Sequence, residues 1–363
     1  MARSHDKKTG FTRRRFLQTS AATTAALAVS SFGFPYIAKA APEKLIIPDA
    51  GGALRDAYLP SHYKGFTDKT GIQVQPSAYM GIAQLKAMVE NQSWGQADIV
   101  VMSASEAAIA GTQGLVEPID YGMIDRPAII PEAANEFWVM TLVAASLMAW
   151  NTDVMNKEQA PKSWAEFFDL PNPPVVKGPR GLWKNAALVM DMAALGDGVA
   201  VKDLYPLDVN RSINALTRIR ENIIWWEHGA QSAQMLVDNE VDFEFAWNGR
   251  VWTAAKQGGP VDYHFNQALL DGDAAVIPKG HPNKKWAMEF AAFMMTPEPQ
   301  AALAELIPYG PTNTKANALI PEATQKVLPT GPDNFPETKF VDQSWWAEHG
   351  QSAYDAYNEW LLG

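Results

Sequence analysis

The sequence predicts an α/β fold in two lobes, with mixed, mainly parallel sheets flanked by helices. Three observations carry that expectation. Short apolar runs of strand length alternate with longer stretches of helical periodicity, the pattern that builds sheets covered by helices. The chain has 363 residues, more than one hydrophobic core usually holds, which suits two units with a cleft between them. Thirteen tryptophans and a charged fraction of only 19% supply ample material for a packed interior and argue against disorder.

The elements follow in order. "KLIIPDA" (44–50) is a short strand stopped by Gly51-Gly52. Residues 54–71 space Leu54, Tyr58, Tyr63 and Phe66 as a helix, interrupted at Pro60 and closed by Gly71. "IQVQPSA" (72–78) alternates as a strand, 82–92 is helical, and "ADIVVMSA" (97–104) is a buried strand. A short helix within 106–120, a strand opening 141–155 and a Trp-bearing helix at 161–171 come next. Residues 181–198 are expected to form one long helix, 209–223 an amphipathic helix and 229–241 another. Strand-like pieces occupy 242–250, 261–266 and 273–280, and helices occupy 284–296 and 297–307, before a long tail from Pro321. "WWEHGAQSA" (225–233) and "WWAEHGQSA" (345–353) echo one another, but nothing around them repeats.

Ahead of these elements stands "TRRRFLQTSAATTAALAVSSFGFPYIAKA" (12–40). A basic start, a weakly apolar run and an Ala-Lys-Ala end describe an export leader, with the cut expected after Ala40. Thr12-Arg13-Arg14-Arg15-Phe16-Leu17 matches the S/T-R-R-x-F-L pattern of twin-arginine signals, which are addresses rather than anchors. The expected location is therefore the periplasm.

The absence of cysteine removes disulfides, thiolate metal sites, cysteine nucleophiles and a lipidated tether. The whole chain carries 30 basic and 40 acidic side chains; without residues 1–40 the balance is 23 against 39. So acidic a surface argues against nucleic acid and anionic lipid, whose affinity comes from Lys and Arg. A monomer without a membrane anchor is expected.

Catalytic signatures are missing. There is no Walker loop, no G-x-G-x-x-G after a strand, no G-x-S-x-G and no H-E-x-x-H. The six histidines lack metal-ligand spacing, so neither a cofactor nor a metal is expected. Asp242 and Glu244 could imitate a hydrolase's carboxylate pair. As period-two neighbours in a strand they read more simply as a sheet edge or cleft rim.

Several stretches resemble the extracellular solute-binding proteins of ABC importers, and most of all their spermidine/putrescine-binding branch. These are "ADIVVMSASEAAIAGTQGLVEPID", "FEFAWNGR", "DAAVIPKGHPNKKWAMEFAAFMMTPEPQAALAE" and "LIPYGPTNTKA". The resemblance implies a type II periplasmic binding protein fold whose lobes close on a solute across a hinge of crossing strands. It also implies docking on an inner-membrane permease, with no catalysis. By that pattern lobe one holds 41–148 and 272–316, and lobe two holds 149–271 and 317–363. Ser103, Trp247, Asp273 and Tyr309 fall on ligand positions. Iron-binding and sensory members of the same fold remain rival readings.

The departures from the polyamine pattern bear on the ligand. Where that branch places an Asp and a Glu in lobe two, this chain has Trp183 and Ala186, with Lys177, Arg180 and Lys184 nearby; Asp271 replaces a tryptophan. "DAGG" (49–52) could present backbone N–H groups to an anion. A mixed ligand is therefore expected beside the polyamine alternative. Asp273 takes an amine, Arg180 or Arg250 takes a carboxylate as a bidentate fork, and Trp183, Trp226, Trp247 and Tyr309 line the middle.

Overall fold

The computed structural model describes residues 41–168 and 178–363. The expected leader at 1–40 and residues 169–177, including Lys177, lie outside the described residues.

The chain opens with β1 (Lys44–Pro48), then α1 (Gly52–Tyr58) and α2 (Lys64–Thr70), joined without a break by a π-helical turn at Leu59–Tyr63. Pro60 cannot donate an amide, and the wider turn absorbs that loss. The expected interruption is thus a bulge in one rod. Gly71, at φ 77°, ends it in the left-handed conformation that glycine adopts without strain. Next come β2 (Gln73–Ser77), α3 (Ile82–Glu90), β3 (Val100–Ser103), α4 (Ala104–Thr112), β4 (Val139–Met140), β5 (Ala144–Asn151) and α5 (Trp164–Phe168).

The expected helix over 181–198 is in fact β6 (Arg180–Trp183) followed by α6 (Ala186–Gly196). Asn185 makes the boundary: its side chain accepts from the amide of Ala187 at 3.0 Å, ending the strand and capping the helix. Then follow α7 (Val209–Ile219), β7 (Ile223–Trp226), α8 (Gly229–Val237), β8 (Phe243–Trp247) and α9 (Asn248–Lys256). Strand β9 runs from Val261 to Asp271, longer than its alternation suggests, and β10 (Asp273–Val276) follows across one glycine. The last elements are α10 (Lys284–Met294), α11 (Pro297–Leu306), α12 (Glu322–Gln325), β11 (Lys339–Phe340) and α13 (Gln343–Leu362).

Three sheets result, ordered β1-β2, β3-β10-β4 and β11-β9-β5-β8-β6-β7. They are more evenly mixed than strand–helix alternation implies. The pairs β1–β2, β6–β7, β6–β8 and β9–β11 are parallel, while β5 runs antiparallel to β8 and β9, and β10 to β3 and β4. The antiparallel pairs arise because the chain leaves one sheet and returns. Trp150 of β5, Phe245 of β8 and Trp164 of α5 are fully buried, each contributing about 2–3 kcal/mol of apolar burial. Helix α13 packs along α6 and α7 and also reaches α4.

The hinge forms where three segments pass side by side. Gly272, between β9 and β10, lies against the strand leading into β5; a Cβ there would stand 2.1 Å from the carbonyl oxygen of Leu142. Thr141 donates its amide to Asp273 O at 2.8 Å, and Val143 and Gly310 exchange amide bonds of 2.8 Å each. This is the two-lobed type II binding-protein architecture.

Candidate functional site

Ligands of open α/β sheets collect beyond the carboxyl ends of strands, and the candidate residues here lie at the ends of β3, β6, β7 and β8 and at the start of β10. Trp183, Trp226 and Trp247 terminate the mutually parallel strands β6, β7 and β8. Trp183 stacks on Trp226 at 5.9 Å and 17°, and Trp247 meets the two edge-on at 5.3 and 5.2 Å. Gly229 and Gly249 make room: a Cβ on Gly229 would stand 2.5 Å from the Trp247 ring, and one on Gly249 2.9 Å from the Tyr309 ring and hydroxyl. Tyr309, from the hinge, thus closes over the start of α9. Arg250, one residue further on, is exposed and has no ion pair or side-chain hydrogen bond among the described residues. It lies close enough to Tyr309 to offset part of the rise that burial gives the phenol's pKa.

The opposite wall is acidic. Asp273 opens β10 directly across from Ser103, the last residue of β3. Among the described residues its carboxylate has no hydrogen-bond donor or counter-charge. Burial, with Asp271, Asp49 and Glu106 adding repulsion, pushes it up to about 7. Its three acidic neighbours are each held. Glu106 accepts from Tyr79, from Ser103 Oγ at 3.1 Å and from the amide of Ile82 at 3.1 Å. Asp271 accepts from Gln343 Nε2 at 2.9 Å and from the Gly272 amide at 2.7 Å. Asp49 is paired with Arg55. Below them a relay runs from the Tyr58 hydroxyl to Thr141 Oγ1 at 2.7 Å and on to Asp273 O at 3.1 Å.

Of the eight residues picked from sequence, Trp183 and Trp247 pack on one another, Arg250 and Tyr309 lie at the start of α9 beside Trp247, and Ser103 faces Asp273 across β3 and β10. Ser103 also caps α4, its oxygen accepting from the Glu106 amide at 3.4 Å. Two need correction. Trp226 is at the site but fully enclosed, so it backs Trp183 and Trp247 rather than offering a free face. Arg180 is not at the site. It pairs with Phe243, at the other end of β8 from Trp247, and is fully buried. Its guanidinium lies 4.8 Å from the Phe243 ring and donates from Nε to the carbonyl of Phe167 at 2.7 Å. Desolvation lowers its pKa to about 10, so its burial is costly and structural. The glycine pair at 51–52 is also not a free anion cradle, because the Gly51 amide donates to Asp49 Oδ1 at 2.9 Å.

Sequence reasoning passed over Tyr58, Tyr79, Glu106, Arg55 and Gln343. Tyr58 read only as part of an apolar helical face. Glu106 belongs to a Ser-x-x-Glu helix start, which points to a cap rather than a site, and the rest become neighbours only through the fold. A cavity of about 510 Å³ lined by Trp138, Tyr205, Phe335 and Phe340 lies to one side and also touches Gln343; neither Asp273 nor Arg250 lines it. Among the described residues, no three His, Asp or Glu side chains gather where they could hold a metal, and no helix is long and apolar enough to cross a membrane.

A hinged pair of sheets facing one another across an aromatic box and an unmatched carboxylate defines a solute-binding protein. The chain belongs to the bacterial extracellular solute-binding protein family, whose model matches residues 62–330. It is a non-catalytic binding component of the periplasmic kind, typical of ABC import systems. The gamma-aminobutyric acid-binding protein of Pseudomonas aeruginosa is 34% identical over 92% of this chain and 95% of its own length. The spermidine/putrescine-binding periplasmic protein of Escherichia coli is 24% identical over 83% and 86%. The solved Atu4243–GABA receptor superposes with a TM-score of 0.79 at 32% identity, covering 87% of this chain and 97% of that one.

Proposed function

We propose that this protein captures a small zwitterionic amine-carboxylate, of the γ-amino acid or betaine-like kind, and delivers it to an inner-membrane ABC permease. Lobe one, 41–148 with 272–316, closes on lobe two, 149–271 with 317–363, and the solute is held between them. One observation carries the reading: among the described residues neither the carboxylate of Asp273 nor the exposed guanidinium of Arg250 has a partner, and Arg250 directly follows the glycine against which Tyr309 packs. An ammonium on Asp273 relieves the repulsion from Asp271, Asp49 and Glu106. A carboxylate on Arg250 gains a bidentate partner. The methylenes between them lie against Trp183, Trp247 and Tyr309. The gamma-aminobutyric acid-binding relative supports the same class.

A polyamine is the second reading, favoured by the acidic wall and by the spermidine/putrescine-binding relatives. Calorimetric titration of the chain from residue 41 with γ-aminobutyrate, putrescine and spermidine separates the two. The expected order is γ-aminobutyrate tightest, with Arg250→Ala weakening it at least about tenfold and leaving putrescine unharmed. Tighter putrescine binding, with Arg250→Ala silent for both, removes the zwitterion reading. Export by the twin-arginine route is part of the proposal, and replacing Arg13 and Arg14 by lysine is expected to leave precursor in the cytoplasm.

A further inference from the structure

The cleft gathers four carboxylates, Asp49, Glu106, Asp271 and Asp273, and among the described residues only one of them meets a cation. Asp49 is fully buried at the carboxyl end of β1. Its Oδ1 accepts from Arg55 Nε at 2.7 Å and from the Gly51 amide at 2.9 Å, and its Oδ2 from the Tyr63 hydroxyl at 2.7 Å. Arg55 is held in turn, since its Nη2 donates to the carbonyl of Ser77 at the end of β2. The geometry is built by the backbone. Gly51 turns at φ 69°, bringing its own amide back onto Asp49, and the π-helical turn after α1 stacks Tyr63 on Tyr58 at 5.7 Å, aiming the Tyr63 hydroxyl at the same carboxylate. Asp49 is near enough to Asp273 to disfavour that residue's ionisation.

We propose that Arg55 sets the charge selectivity of the cleft: by pairing with Asp49 it withdraws one carboxylate from the ligand field, leaving Asp273 to anchor a single ammonium, so that a zwitterion is preferred over a diamine. This rests on the amine-carboxylate reading above. Without the guanidinium, Asp49 keeps the Gly51 and Tyr63 bonds, and the negative field it adds to the cleft is no longer cancelled. Every cation in the cleft then gains and every carboxylate loses. Arg55 is therefore a specificity residue that need not touch the solute, and its effect lies in the ratio of two affinities rather than in either alone.

The test titrates the chain from residue 41 with γ-aminobutyrate and putrescine, which share a four-carbon chain, in four proteins. In Arg55→Gln the ratio of the putrescine Kd to the γ-aminobutyrate Kd is expected to fall at least about tenfold. Arg55→Lys, which restores the charge, is expected to return the ratio to within about threefold of the parent. Asp49→Asn, which leaves Arg55 unmatched, is expected to raise it, so the two removals act in opposite directions. A merely structural role for the pair would move both ratios the same way or neither. That result, or Lys behaving as Gln, overturns the proposal. Should Arg55→Gln fail to fold, the direction of the Asp49→Asn shift still decides the question. The parent protein's own preference tests the amine-carboxylate reading separately from the shift that Arg55 controls.

Discussion

Asp273 offers the sharpest trade between stability and binding. Its carboxyl is pushed up from the ordinary 3.8 to about 7. One pKa unit is worth about 1.4 kcal/mol, so the repulsion and desolvation cap at about 4 kcal/mol of strain above pH 7. The side chain is only half-buried, and solvent screening reduces the figure to about 1–2 kcal/mol. The sign follows from proton counting. Between about pH 4 and pH 7 the folded chain holds a proton at this position that the unfolded chain has lost, so the stabilisation is complete at low pH and disappears as pH rises through 7. Asp273→Asn abolishes the penalty while removing the ammonium anchor. The ligand-free variant is therefore expected to melt about 1–3 °C higher than the parent at pH 8, with no gain at pH 4.5, while losing at least about a hundredfold in solute affinity. Scanning calorimetry at the two pH values, paired with titration at pH 8, measures both. A variant that melts lower at pH 8, or that binds as tightly as the parent, refutes the claim that Asp273 is an unmatched charge awaiting a cation.

Binding itself is expected to be pH-dependent for the same reason. An ammonium lowers the carboxyl's pKa in the complex, so affinity should fall about tenfold per unit as pH drops below 7, with proton release on binding near neutrality; a flat profile between pH 5 and 8 contradicts this. Arg180→Met should leave solute affinity within about twofold of the parent, because Arg180 lies at the far end of β8 from Trp247, while lowering stability by about 1–3 kcal/mol as the buried Phe167 carbonyl loses its donor and Asp242 its neighbouring cation; a tenfold loss of affinity returns Arg180 to the site. Gly272→Ala must displace the strand at Leu142 and is expected to lower stability by more than about 2 kcal/mol, read by urea unfolding. Gly229→Ala drives a methyl against the Trp247 ring; it is expected to weaken binding at least about fivefold with little change in melting temperature, and an unchanged Kd refutes the placing of Trp247 in the cleft.

Much of the architecture follows from local rules. Apolar runs bounded by glycine and proline marked most strands, and the structure adds the side-chain caps of Ser103 on α4 and Asp208 on α7. The misread segment at 181–198 shows the limit. Gly181-Leu182-Trp183 has no alternation to betray a strand, because β6 is covered on both faces and a buried strand has no polar side to display.

By itself the sequence determined the class of fold, the lack of thiol and nucleotide chemistry, the excess of acid, and a set of aromatic and charged candidates. Only the tertiary structure decided which charges are spent and which are free. Arg180 and Arg250 look alike in a string of letters, yet one is sealed against Phe243 and the other is open beside Tyr309. Asp49 and Asp273 are both aspartates next to a strand, yet only one has an arginine. The reason is that a charge is defined by its neighbours through the low-dielectric interior, and those neighbours come from strands and helices far apart in the chain.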